Sequence, residues 1–112
     1  MSKYDEVNSK IRLIDYMKPS TALNKYRNKI RHIVASHRCL NARVFGSVVH
    51  GDDSDNSDLD ILIDPTPATT LMDIAAIQVE LEKLLGVKVD VLTPKALPEK
   101  FRADVLIEAM PV

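Results

Sequence analysis

Gly46 and Ser47 end the short apolar run Ala42-Arg43-Val44-Phe45, and a second glycine, Gly51, stands four positions beyond the serine. A glycine at such a point lets the chain turn tightly and brings backbone N–H groups close to a phosphate, and the serine adds a hydroxyl donor. Asp58 and Asp60 follow in Ser57-Asp58-Leu59-Asp60, and Asp90 lies in a later β-type segment. Two carboxylates two apart on a strand project from one face, about 7 Å apart along the backbone, and can converge on hard cations. Two Mg²⁺ ions roughly 3.5–4 Å apart would clamp the attacking and leaving oxygens of an in-line displacement at phosphorus. Asp90, on a neighbouring strand, would complete the ligand set and help take the proton from an attacking hydroxyl.

Gly-Ser alone ends many strands, and a lone Asp-x-Asp is commonly solvated; the combination carries the signal. A calcium loop counted from Asp53 fails twice: Asp58 stands where that loop requires glycine, and Asp64 where it requires glutamate.

The flanking pattern predicts what must position these residues. Val7, Ile11, Ile14 and Met17 mark a helix over 5–17 ended by Pro19. Leu23, Tyr26, Ile30, Ile33, Val34 and His37 mark a second helix, capped by Ser20 or Thr21 and running to about His37. Strands are expected at Ala42–Phe45, at Asp58–Asp64 and at Val87–Leu92. The second places Leu59, Ile61 and Ile63 inward, opposite Asp58, Asp60, Leu62 and Asp64. Leu71, Ile74, Ile77, Leu81, Leu84 and Leu85 predict a helix stopped by Gly86, and Phe101, Val105 and Met110 a last one after Pro98. The expectation is an α/β (α+β) domain: a small mixed sheet with helices packed on one face.

The chain has 112 residues, 46% hydrophobic and 28% charged, which suits one domain and leaves no room for a second that would hold a large acceptor. Residues 1–19 read as a helical extension and 20–112 as the domain. The charged first residues and the lack of a long apolar stretch predict a cytoplasmic chain with no membrane partner. Cys39 has no companion, so it reads as a half-buried structural thiol, and His32 and His37 read as structural because neither has a second ligand at suitable spacing. The net charge of −1 argues against direct DNA binding. Seven basic residues between Lys18 and Arg43 face no acidic one in sequence, and read as a solvated helix face more readily than as a partner surface.

From about Leu23 onward the sequence resembles the nucleotidyltransferase superfamily that includes DNA polymerase β, and most closely the minimal nucleotidyltransferases paired with HEPN-domain toxins. The residues that carry it are Val44-Phe45-Gly46-Ser47, Ser57-Asp58-Leu59-Asp60, Leu84-Leu85-Gly86, Val87 through Leu97, and Glu108-Ala109-Met110-Pro111. The resemblance implies a polymerase β-like fold and an antitoxin that moves AMP from ATP to a tyrosine hydroxyl of a partner HEPN ribonuclease. It implies Asp58, Asp60 and Asp90 as catalytic, metal-binding residues for two Mg²⁺, and Gly46, Ser47 and Ser57 as the nucleotide-binding set. Homo-oligomers or a hetero-oligomer with the toxin fit the small core. The sequence departs from the pattern at His50, where such proteins usually carry arginine, and in the acidic loop Asp52-Asp53-Ser54-Asp55. A neutral histidine offers one donor where arginine offers a charged fork, so a binding-only antitoxin is the alternative.

Overall fold

The computed structural model describes residues 18–112; the helix expected over 5–17, and most of the extension 1–19, lie outside them. Helix α1 spans Pro19–Ser36, strand β1 Cys39–Phe45, the single turn α2 Ser47–His50, and β2 Leu59–Pro65. Then come α3 (Leu71–Leu85), β3 (Val89–Leu92), a 3-10 turn (Pro94–Ala96), α4 (Glu99–Glu108) and β4 (Met110–Pro111).

The sheet order is β3-β2-β1-β4, with β1 antiparallel to both β2 and β4, and β2 parallel to β3. The parallel pair needs a crossover, which α3 supplies. Alternation decides the faces. Leu59, Ile61 and Ile63 of β2, Val44 of β1 and Val89 and Val91 of β3 form one apolar core with Leu23, Ile30 and Val34 of α1 and Ile77, Leu81 and Leu85 of α3. The two long helices therefore share one face of the sheet. Leu62 is fully buried on the other face, outside that core, and β2 there touches the 3-10 turn that leads to buried Leu97.

Four expectations need correction. The sheet has a fourth strand: Met110 pairs with Val44 in β4 and does not extend the apolar line of the last helix. Pro111 disfavours helical geometry at the residue before it, so the chain leaves α4 at Ala109 and runs extended. Leu71 is 85% exposed because it opens α3 beyond the sheet, leaving Ile77, Leu81 and Leu85 to face the core. Pro19 is the buried first residue of α1, a position its fixed φ suits, and neither Ser20 nor Thr21 caps that helix. Cys39 is fully buried, where the sequence suggested a half-buried thiol, and desolvation pushes its pKa up.

β1 also begins earlier than its apolar run. A bulge between Leu40 and Arg43, with Asn41 at φ 55°, lets the polar residues join the strand. Much of the basic segment is used structurally. Arg27 and Arg31 donate to the Pro111 and Val112 carbonyls, Arg38 pairs with Asp73, and Arg43 pairs with Asp64. Lys25 and Lys29 lie over the Tyr26 ring.

Helix α3 starts at a capping box in which Thr70 accepts from the Asp73 N–H and Asp73 accepts from the Thr70 N–H at 2.8 Å. These bonds, foremost the one from the Thr70 backbone, hold the Asp73 carboxyl below the usual range despite burial. Thr70→Ala is expected to cost about 1 kcal/mol in denaturant unfolding, with the slope of the transition unchanged.

Candidate functional site

The open face of the sheet carries the acidic residues picked out by the sequence. In the ladders, Phe45 stands opposite Asp60, and Asp60 opposite Asp90, so the three residues lie side by side across β1, β2 and β3. Adjacent strands are about 4.8 Å apart, which brings the Asp60 and Asp90 carboxylates together on one face. Asp58 lies just before β2, where the Leu59 N–H still donates to the Lys88 carbonyl at 2.8 Å. That bond continues the β2–β3 pairing to the edge of Asp58 and holds it beside the other two.

The electrostatics follow from this packing. Asp60 is half-buried, and desolvation, then the charges of Asp90 and Asp58, push its pKa up to about 6. Among the described residues, none of the three aspartates forms an ion pair with Lys, Arg or His. Three like charges without a counter-charge suit a divalent cation, and their oxygens are the hard donors Mg²⁺ takes. Among the described residues no three Asp, Glu, His or Cys side chains already stand close enough to enclose an ion. Asp58 and Asp90 would have to turn toward Asp60 to do so.

Gly46 joins the phosphate-type turn to this cluster. Its φ of 75° and ψ of −144° lie in a region essentially reserved for glycine, and a Cβ there would collide with the Asp60 carboxylate. The absent side chain thus lets the turn lie directly against Asp60. α2 is one turn long, so Ser47 and its neighbours offer local N–H and O–H donors, with little helix dipole behind them. Ser57 is placed differently from the rest: its hydroxyl accepts from the Ser54 N–H at 2.8 Å and closes the acidic loop.

Sequence reasoning missed two contacts around the site. Asp53 of the acidic loop accepts from the Ser20 N–H at 2.9 Å and so caps α1 from 33 positions away. Burial would raise its carboxyl, but hydrogen bonds from Ser20 and the nearby Lys18 outweigh this and hold it low. That carboxylate is spent on a helix end. No local signal in the sequence could have found it. His50 Nε2 lies 3.0 Å from Glu108 at the end of α4, tying α2 to the last helix.

The family profile described as polymerase beta, nucleotidyltransferase, matches residues 28–112, well over half of the chain. The chain belongs to this nucleotidyltransferase family. A Methanocaldococcus jannaschii protein provisionally named a protein adenylyltransferase is 33% identical over 90 residues, covering 80% of this chain and 97% of that one. The protein adenylyltransferase MntA of Thermococcus cleftensis is 36% identical over 67 residues, 60% of this chain and 68% of its own. Among solved structures, one provisionally named a minimal nucleotidyltransferase superposes with a TM-score of 0.76 at 38% identity, covering 87% of this nucleotidyltransferase and 98% of itself. A chain from a toxin–antitoxin crystal structure with AMP-PNP gives 0.64 at 20% identity over 75% of this chain and 69% of that one, a likeness of fold. Among the described residues no helix is long and apolar enough to cross a membrane.

Proposed function

We propose that this nucleotidyltransferase is a cytoplasmic antitoxin that moves AMP from ATP to a tyrosine hydroxyl of a partner HEPN-domain ribonuclease toxin, with release of pyrophosphate. The observation that carries the reading is the in-register placement of Asp60 beside Asp90, with the backbone of Gly46 packed against Asp60. The names of its relatives as protein adenylyltransferases, and the toxin–antitoxin assembly of a chain with the same fold, support the choice of a protein acceptor.

Gly46 and Ser47 bind the β- and γ-phosphates through backbone N–H groups and the serine hydroxyl, and Ser57 holds the loop beside them. Asp58, Asp60 and Asp90 would hold two Mg²⁺, which would supply positive charge to offset the negative charge that develops in the transfer. Asp90 orients the tyrosine hydroxyl and receives its proton. The tyrosine oxygen bonds to the α-phosphorus, the bond from that phosphorus to the bridging oxygen breaks, and pyrophosphate leaves with the electron pair. Apart from this proton transfer, catalysis is mostly positioning and charge neutralisation. Residues 20–112 form the catalytic unit, and residues 1–19 an extension to it.

One observation favours a second reading, an antitoxin that neutralises by binding alone. His50 replaces a cation that would grip the triphosphate, and Glu108 occupies it.

Intact mass spectrometry of the neighbouring gene product after incubation with this protein, ATP and Mg²⁺ separates the two. A gain of one or more AMP units, absent with Asp58→Ala, is expected for transfer. Neutralisation without a mass gain, surviving loss of both Asp58 and Asp60, overturns it in favour of binding.

A further inference from the structure

Between the open face of the sheet and α4 runs a groove of about 440 Å³ that begins at Gly46 and ends on the last helix. Its floor is apolar, made by Phe45, Leu92 and Leu97. Phe101, Asp104, Val105 and Glu108 line its α4 side. Their spacing of three, one and three is a single helical stripe, so one face of α4 points into the groove. No residue of α4 is buried, and Phe101 keeps 53% of its surface exposed. The stripe therefore leaves much of its apolar area, above all on Phe101, uncovered by the fold.

Resting on the transfer reading above, we infer that this groove docks the acceptor segment, holding an aryl side chain on Phe45, Leu97 and Phe101 and a basic neighbour against Asp104 and Glu108. Phe45 is the cross-strand neighbour of Asp60, so a ring lying on it carries its hydroxyl toward Asp60 and Asp90. Charge favours a cationic peptide over the other flat occupant, the uncharged nucleobase of the donor. The groove is lined by two carboxylates and by no lysine or arginine, and its one basic side chain, His50, is already held by Glu108, so the lining complements a cationic peptide. Among the described residues Asp104 has no ion-pair partner, whereas Glu108 already holds His50. Asp104 is thus the carboxylate open to an incoming cation. An aromatic anchor with an adjacent charge is the usual make-up of a small protein-recognition patch.

Two dye-labelled synthetic peptides test this, each with a single tyrosine, flanked by arginines in one and by glutamates in the other. Anisotropy without ATP reads binding, and mass spectrometry with ATP and Mg²⁺ reads AMP addition. The arginine peptide is expected to bind on the order of tenfold tighter, and Asp104→Arg to reverse the preference, which a misfolded variant would not do. Phe101→Ala should weaken both peptides while leaving the affinity for AMP-PNP unchanged. Equal binding of both peptides, or no reversal by Asp104→Arg, overturns the inference. So does a loss of AMP-PNP affinity in Phe101→Ala, which would make the groove the nucleobase site. Charge-selective binding that never leads to AMP addition upholds the groove and removes the transfer reading.

Discussion

Asp60→Asn is expected to lower AMP transfer by about a thousandfold or more, while making the metal-free protein more resistant to heat at neutral pH. Both effects come from one placement. Asp60 is desolvated and faces Asp90 and Asp58, so the fold disfavours its charged form and its pKa rises to about 6 from 3.8. A carboxyl raised in this way contributes its full share of stability below the unfolded value. That share is lost as pH rises through the folded value. Asparagine keeps the shape and removes the charge. In EDTA, the thermal midpoint of Asp60→Asn should therefore match wild type near pH 4 and exceed it above pH 7. A variant less stable than wild type at pH 7.5, or an advantage that does not grow with pH, would show that burial and the neighbouring carboxylates do not disfavour the charged form of Asp60. The pattern is that of a site whose charge is arranged for a ligand at some cost to the empty fold.

Gly46→Ala is expected to be nearly as damaging, for a reason that leaves the carboxylates chemically intact. The backbone conformation at Gly46 costs a residue with a Cβ about 1–3 kcal/mol, and the added methyl must also push the Asp60 carboxylate aside. Gly51 is the internal comparison. Its φ is 74°, but an added Cβ meets nothing within 4 Å. Gly51→Ala should cost about 1–2 kcal/mol of stability and leave transfer within a few-fold. Gly46→Ala should reduce transfer by about a hundredfold or more under conditions where circular dichroism shows it folded. Equal losses of transfer in the two variants would mean that backbone strain alone, and not the approach to Asp60, sets the need for glycine.

The sequence carried much of this arrangement because local periodicity encodes which way a side chain points. Alternation placed Leu59, Ile61 and Ile63 inward and put Leu62 with Asp60, and the structure has both. The break at Gly46 and the stop at Gly86 were legible because each residue has a backbone role that other residues fill poorly. The exact register of Asp60 against Asp90 was not legible, since parallel pairing is set by how a crossover helix docks and not by either strand alone. β4 was hidden for a related reason: two residues, one of them a proline, show no alternation, and only their pairing with Arg43 and Val44 makes them a strand. The Asp53 cap on α1 joins distant segments, so nothing within either one announces it. Asp58, Asp60 and Asp90 were nominated by type and spacing, and the ladder supplies the reason that Asp60 and Asp90 belong together.

The parallel pairing of β2 and β3 also bears on the order in which competence is acquired during folding. β1 and β2 form an antiparallel neighbour pair joined by the thirteen residues 46–58, a unit closer in sequence than the β2–β3 pair, which can arise early and already contains Gly46 and Asp60. Asp90 joins only after α3 has crossed the sheet and its core face has docked, a closure spanning the thirty positions between the two aspartates. A nascent or partly melted chain thus holds Gly46 and Asp60 together without Asp90 beside them. On the proposed reading, the capacity for transfer then arrives in a single late event, and any local opening of β3 withdraws it before the rest of the domain unfolds.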